Sequence, residues 1–156
     1  MIKRLFFDEA YSQALKSNMN SNHGAVLIYR GRIIGKGFNT YNSSNCTEKS
    51  SLHAEISAIN NALRKIHTSE LRKCELVIIR VNKLGECLNS KPCCNCEKAI
   101  CNYNIKKVFY SWRYLSFHPG SNRGYWIQSP VSWPLDHGSL YTMKIKLKYF
   151  NKYINE

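Results

Sequence analysis

Side chains that bind transition metals occur in two short segments of this chain. His53 is followed two residues later by Glu55, and Cys93 is followed three residues later by Cys96, directly after Pro92. Histidine nitrogen and cysteine thiolate are common zinc ligands in proteins. Two cysteines at this spacing share one face of a helical turn. The pattern predicts a zinc site with His53, Cys93 and Cys96 as ligands.

A zinc ion with three protein ligands has the arrangement of a catalytic site, because the fourth tetrahedral position is open to water. Zinc lowers the pKa of that water to about 7. Glu55 lies close to His53 in sequence and is suited to accept the proton and deliver it to a leaving group. Two other interpretations stay open. The cysteine pair could belong to a redox site, or to a structural four-cysteine site that also uses Cys87 or Cys101.

The number of cysteines and the apolar segments of the chain indicate in which cellular compartment the protein is expected. The chain has seven cysteines, and an odd number argues against a disulfide framework. Asp8 and Glu9 interrupt the apolar stretch that a secretion signal needs. No apolar run approaches the ~20 residues of a membrane-spanning helix. We therefore expect a cytoplasmic, reducing location and no membrane partner.

The charge of the chain favours an anionic partner. Lysine and arginine total 23 against 10 acidic residues, which gives a net charge of +13. A basic surface attracts nucleotides and polynucleotides. We therefore expect a phosphate-bearing substrate or partner.

The elements that must position these residues follow from periodicity. Two apolar runs around Gly31 predict a β-hairpin. Leu52, Ile56, Ile59 and Leu63 predict the strongest helix, with Ser51 as its cap, and Pro92 suits the start of another helix. In chain order we expect a helix over 4–17, strands over 24–30 and 32–38, a polar loop over 40–51, a helix over 52–66, a strand over 75–81, a loop over 83–91, a helix over 92–102 and a strand over 106–112.

This order predicts an α/β fold with three layers, α/β/α, and a mixed sheet of about five strands. We expect a single domain over 1–156. Its core occupies 1–112, and an irregular loop rich in tryptophan, proline and glycine follows over 113–139. Alternating apolar residues and lysines predict a final strand over 140–149, with Lys144, Lys146 and Lys148 on one face. Because no crossover helix is visible before it, an antiparallel orientation is favoured.

The combination of His53-Ala-Glu55 with Pro92-Cys93-Cys-Asn-Cys96 resembles the cytidine/deoxycytidylate deaminase superfamily, whose signature is His-x-Glu followed by Pro-Cys-x-x-Cys. The resemblance extends over about residues 5–112. It includes a hairpin with the sequence Gly24-Ala-Val-Leu-Ile and a strand that ends near Ser111.

The resemblance implies a zinc-dependent hydrolytic deaminase of the cytidine-deaminase-like fold. It implies that Glu55 is the catalytic acid and base, that Asn39 contacts the sugar or base of the substrate, and that the backbone of Ala54 contacts the base carbonyl. A histidine as first ligand is similar to deoxycytidylate, tRNA-adenosine and polynucleotide cytosine deaminases. Free-cytidine deaminases usually have cysteine there.

Three functions follow as hypotheses. The first is deamination of a cytosine nucleotide, deoxycytidylate or cytidylate, to the uracil nucleotide and ammonia. The alternative is deamination of cytosine or adenine in tRNA, other RNA or single-stranded DNA. The third is a non-catalytic, zinc-stabilised module that binds nucleic acid. Assembly as a homo-oligomer stays open.

Overall fold

A computed structural model describes residues 3–41, 50–105, 107–113 and 124–130. The predicted order of helices and strands is confirmed over these ranges, with short strands added. The elements are α1 (Arg4–Leu15), β1 (Asn22–Tyr29), β2 (Arg32–Phe38), β3 (Thr40–Tyr41), β4 (Ser51–Leu52), α2 (Ala54–Leu63), a 3-10 helix (Thr68–Lys73), β5 (Glu75–Val81), β6 (Cys87–Leu88), α3 (Cys94–Asn102), β7 (Lys107–Arg113) and β8 (Gly124–Pro130).

The main sheet is mixed, as predicted. Its strand order is β2-β1-β5-β7-β8, and β6 pairs with one end of β5. The β5–β7 pair is parallel and the other pairs are antiparallel. The β1–β2 hairpin turns at Arg30 and Gly31, whose φ angles are 49° and 74°. Positive φ at both central residues suits the twist of a two-residue hairpin turn.

Helices cover both faces of the sheet, so the prediction of three layers is confirmed. On one face α1 packs against alternate residues of β1 and β5, such as Val26 and Val77. On the other face α2 and α3 cover the intervening residues, such as Ala25 and Leu76. This division assigns each strand residue to the side of α1 or to the side of α2 and α3.

Glycines on β2 set the depth at which α2 lies on the sheet. A Cβ atom at Gly37 would lie 2.4 Å from the backbone nitrogen of Ala58 and 2.6 Å from the carbonyl oxygen of Ala54. A Cβ at Gly35 would lie 2.2 Å from the carbonyl oxygen of Ala58. No side chain fits in these gaps. The first turn of α2 is therefore held directly against β2.

The prediction that Ser51 caps α2 is wrong. Ser51 lies in β4 and pairs with Tyr41 of β3, and the N-cap residue of α2 is His53. The ends of the predicted polar loop over 40–51 therefore form a two-stranded ladder. The position at which a helix starts depends on the backbone before it as well as on the side chain at the cap. Here the β3–β4 ladder holds Ser51 and Leu52 in an extended strand, so His53 is the first residue that can cap α2.

The prediction of an irregular loop over 113–139 is wrong for Gly124–Pro130, which forms β8 and pairs with the whole of β7. Tyr125, Trp126 and Ile127 have strong strand propensity, while glycine and proline mark the ends of this strand. The predicted final strand over 140–149 lies outside the described residues. None of the helices in the described ranges has the length and apolar composition to cross a membrane.

Candidate metal centre and active site

The candidate metal centre is built from the starts of two helices. His53 is the N-cap residue of α2 and Cys93 is that of α3, and neither side chain caps its own helix. N-cap positions usually hold serine, threonine, aspartate or asparagine, whose side chains bind the free backbone N–H groups. The carbonyls of His53 and Cys93 do accept the first helical bonds, from Ser57 and Glu97. Because the side chains of His53 and Cys93 do not cap their helices, they can approach each other.

The side chains of His53, Cys93 and Cys96 converge. Nδ1 of His53 lies 3.3 Å from Sγ of Cys96 and 3.5 Å from Sγ of Cys93. All three ligand atoms lie within 4.8 Å of one another. A tetrahedral zinc ion about 2.0–2.1 Å from nitrogen and about 2.3 Å from sulfur would separate such atoms by about 3.5 Å. Both nitrogen–sulfur distances therefore fit a shared zinc ion.

The neighbouring cysteines do not join this cluster. Among the described residues, the group of converging metal-binding side chains contains no fourth cysteine. Cys87 and Cys101 are half-buried elsewhere, and Cys94 is exposed. The Cys94 thiol is therefore not packed in the core. Cys93 and Cys96 share one face at the start of α3. Cys94 lies between them in sequence and therefore projects from another face of the turn, on the solvent side.

Glu55 lies beneath the cluster, on the first turn of α2. Its side chain is buried, with an exposed fraction of 4%. Burial raises the pKa of Glu55, against smaller lowering effects of its own backbone N–H, of His53 and of the Cys96 thiol. A carboxyl group with a raised pKa exchanges protons efficiently near neutral pH. The chemistry predicted for Glu55 therefore has a suitable environment.

The surroundings of Cys96 favour the neutral thiol. Burial raises its pKa, and the nearby Glu55 carboxylate and Cys93 raise it further. The start of a helix favours a thiolate, but at Cys96 burial outweighs that effect. Metal ligation requires the thiolate, so zinc binding at this centre is coupled to proton release.

Of the two predicted substrate contacts, Ala54 directly follows His53 and Asn39 directly follows β2. Ala54 is fully buried, and as the first residue of α2 its N–H has no acceptor within the helix. Asn39 follows β2, two residues beyond the contact between Gly37 and α2. Its Nδ2 donates to the carbonyl of Ser21 at 2.7 Å, and its Oδ1 accepts from the backbone N–H of His23 at 2.7 Å. Asn39 thus fastens the start of β1, a structural role that the sequence did not indicate.

A buried pair of serines supports the start of α3. The parallel β5–β7 ladder ends at Ile78 and Tyr110, and Ser90 is inserted beyond it. Its Oγ donates to the Ile78 carbonyl at 2.8 Å and accepts from the Ser111 N–H at 2.8 Å. Ser111 Oγ donates to the Leu88 carbonyl at 2.6 Å. These bonds fix the chain three residues before the Cys93 ligand.

Sequence reasoning missed this serine pair, because it treated 83–91 as a loop. A usable signal was present. Ser111 interrupts an otherwise apolar strand, and a polar residue at such a position needs a hydrogen-bond partner from another segment.

Comparison with known proteins adds to this geometry. Residues 2–112 match the family model described as the cytidine and deoxycytidylate deaminase zinc-binding region. That match, together with the converging histidine and cysteines, confirms the prediction of a zinc cofactor.

The curated relatives include two tRNA-specific adenosine deaminases. The one from Aquifex aeolicus is 32% identical over 88 residues, which are 56% of this chain and 50% of that protein. The one from Buchnera aphidicola is 31% identical over 104 residues, which are 67% of this chain and 60% of that protein. The chain thus spans about half the length of these relatives.

Solved structures share the fold. The dCMP deaminase of cyanophage S-TIM5 in apo form has a TM-score of 0.52 and 26% identity, over 68% of this chain and 79% of that one. A cytidine deaminase from Burkholderia pseudomallei has a TM-score of 0.58 and 16% identity, over 84% of this chain and 94% of that one. The predicted cytidine-deaminase-like architecture is therefore confirmed.

Proposed function

This chain belongs to the cytidine and deoxycytidylate deaminase family, and from that membership we propose that it is a zinc-dependent hydrolytic deaminase of a nucleobase. The observation that carries the proposal is the position of buried Glu55 next to three converging ligand side chains. A purely structural zinc site has no use for a buried carboxyl group beside it, since burial of an ionisable group costs stability. This argues against the non-catalytic module.

In the proposed reaction, His53, Cys93 and Cys96 hold the metal. Bound zinc supplies an activated water at neutral pH. Glu55 accepts a proton from the water and delivers it to the ring nitrogen, and a second proton passes to the departing amine. The oxygen of the water bonds to the ring carbon, the bond from that carbon to the amino nitrogen breaks, and the products are a ring carbonyl and ammonia. No oxidant or reductant is needed.

The other predicted site residues orient the base in this proposal. The N–H of Ala54 points from the start of α2 without a helical acceptor and is assigned to the base carbonyl. Asn39 keeps one lone pair of Oδ1 for the substrate after its bond to His23. Both contacts would orient the base at the site that His53, Cys93 and Cys96 form.

A cytosine mononucleotide, deoxycytidylate or cytidylate, is the first candidate substrate. The 26% identity to the phage dCMP deaminase supports it. A mononucleotide requires only one phosphate site near the pocket, and the basic chain supplies ample charge for that.

A base within a polynucleotide is the second candidate, and two observations favour it. The tRNA-specific adenosine deaminases are 31–32% identical to this chain, and the net charge is +13. Such a charge suits a substrate that carries many phosphates. The target base would be adenine or cytosine in tRNA, other RNA or single-stranded DNA.

One assay separates these candidates. Zinc-loaded protein is incubated with deoxycytidylate, with cytidylate and with single strands of RNA and DNA that contain cytosine or adenine, at 50 and at 200 mM salt. Ammonia and the deaminated base are measured. A mononucleotide enzyme is expected to keep most of its activity at the higher salt. A polynucleotide enzyme is expected to lose affinity steeply. The slope of log affinity against log salt concentration becomes more negative by about 0.7 for each phosphate contact on a single strand.

The Lys144→Gln, Lys146→Gln and Lys148→Gln triple variant sharpens the comparison. Under the first candidate it is expected to leave turnover nearly unchanged. Under the second it is expected to weaken binding of the strand and to reduce the salt dependence. Strong, lysine-dependent activity confined to the strands would establish the polynucleotide candidate over the mononucleotide.

A further inference from the structure

Two basic side chains lie opposite one another on adjacent strands at the end of the sheet where α2 and α3 begin. His23 of β1 pairs directly with Arg80 of β5 in the antiparallel register. Because β1 is antiparallel to β2 and β5, its start lies at the end of the sheet where β2 and β5 finish. The chain passes from β2 towards α2 and from β5 towards α3 at that same end.

Both side chains belong to the face that carries the metal centre. Along β1, Ala25 and Leu27 pack under α2 and α3, and His23 continues this alternation. Along β5, Leu76 and Ile78 do so, and Arg80 continues it. Arg80 and His23 therefore lie on the floor beside the metal centre and away from α1.

Nε of Arg80 is buried and has no hydrogen-bond partner in the part of the chain that the structure describes, and neither has the buried Oγ of Ser21, two residues before His23. A buried donor on a guanidinium is costly to leave unpaired, since the group is always charged. An acceptor from outside the described protein would relieve that cost at Arg80.

Arg80 brings a permanent positive charge to this position. Burial lowers the pKa of His23, against the raising effect of its bond to the Ser21 carbonyl, and the charge of Arg80 lowers that pKa further. The guanidinium therefore lies near the His23 ring. An anion would be attracted by the charge of Arg80.

We propose that Arg80, which lies beside His23 on this floor, binds the phosphate of the nucleotide whose base enters the metal centre. Arginine suits this role because its planar guanidinium matches the geometry of phosphate oxygens. The inference rests on the proposed function and deepens it. A mononucleotide and the target residue of a strand share this phosphate, so both candidate substrates can occupy the subsite.

The test measures binding, so that its outcome is separate from catalysis. The zinc-loaded full chain is titrated by calorimetry with deoxyuridylate and with deoxyuridine, product-type ligands that carry no amine to release. We expect the phosphate to improve affinity about tenfold or more, the scale of charge-assisted hydrogen bonds. Arg80→Gln is expected to remove that gain while leaving deoxyuridine affinity unchanged, and Arg80→Lys to retain part of it.

A second arm tests the phosphate of a strand. A single-stranded oligonucleotide with one central cytosine is compared with the same oligonucleotide carrying an uncharged methylphosphonate on the 5′ side of that cytosine. The methylphosphonate and Arg80→Gln are each expected to weaken binding about tenfold, and their effects are expected not to add. If Arg80→Gln weakens binding of deoxyuridylate, the subsite takes the phosphate of a mononucleotide. If it weakens binding of the oligonucleotide, the subsite takes the phosphate of a strand.

The exposed Arg72 of the 3-10 helix provides a matched control, and Arg72→Gln is expected to change neither arm. Should Arg80→Gln melt much earlier than the wild type, Arg80→Lys replaces it, with the partial loss of phosphate selectivity given above. Three results would each overturn the proposal. They are equal weakening of deoxyuridylate and deoxyuridine binding, phosphate selectivity that survives the Arg80 changes, and no binding of either phosphate-bearing probe. Absence of ammonia release with intact Arg80-dependent binding would refute the deaminase function alone.

Discussion

Sγ of Cys96 lies 3.3 Å from Nδ1 of His53, although 43 residues separate them in sequence. The sheet accounts for this approach. Strands β2 and β5 run in the same direction, so α2 and α3 begin at the same end of the sheet. The proposed metal ligands thereby join the starts of two helices that otherwise share few contacts.

The first prediction concerns this junction. Replacing His53, Cys93 or Cys96 by alanine is expected to abolish tight zinc binding and to lower the melting temperature, because the metal then no longer joins α2 to α3. Elemental analysis of the purified protein should give one zinc per chain for the wild type and for Cys94→Ala. A Cys94→Ala protein as depleted of zinc as Cys93→Ala would rule out the three-ligand site.

A second prediction concerns Ser111, a buried residue of β7 that bonds to the segment before Cys93. Ser111→Ala removes the donor to the Leu88 carbonyl and is expected to cost about 1–3 kcal/mol of unfolding free energy. Because the same bonds hold the start of α3, zinc affinity measured by competition with a chelator should fall as well. Ser69→Ala, at an exposed site, is the control. Lower stability with unchanged zinc affinity would show that the serine pair supports only the fold.

A third prediction uses two glycines on opposite faces of the sheet. A Cβ at Gly37 meets α2, and one at Gly24 meets the backbone of α1, at 2.1 Å from the carbonyl oxygen of Ala10. Each change to alanine is expected to cost about 1–3 kcal/mol of stability through overpacking. Only Gly37→Ala should also lower turnover per folded molecule, because it displaces the helix that carries Glu55. Equal turnover losses in both variants would contradict this assignment.

A fourth prediction concerns pH. Burial raises the pKa of Cys74 to about 11, and Glu70 contributes. The folded state keeps this thiol protonated while the unfolded chain loses the proton near pH 9. Between these values the unfolded state binds fewer protons, so stability falls as pH rises. Urea titrations across this range should show a shallower fall for Cys74→Ala than for the wild type. Parallel curves for the two proteins would contradict the raised pKa.

The sequence was sufficient to single out three side chains that converge in the structure, and it was insufficient for the bonds that support them. The residue types and spacings of His53, Cys93 and Cys96 are characteristic of metal binding, and the periodicity of the apolar residues predicted the helices and strands of the core. The Ser90–Ser111 pair and the His23–Arg80 pair depend on which strands lie side by side, and no local pattern encodes strand order. The β8 strand was missed because its bounding glycine and proline were taken as interior breaks.

The central claim is that Glu55 performs proton transfer at a zinc site that deaminates a nucleobase. The most direct measurement compares zinc-loaded wild type with Glu55→Ala on the panel of mononucleotides and single strands, by mass spectrometry of the product base and by ammonia release. We expect Glu55→Ala to retain zinc and fold and to lose about 10²- to 10⁴-fold in rate on the true substrate. Glu97→Ala, which changes the acidic residue in the first turn of α3, is expected to retain the wild-type rate. Equal product formation by Glu55→Ala, or none by the wild type on any substrate of the panel, would contradict the account.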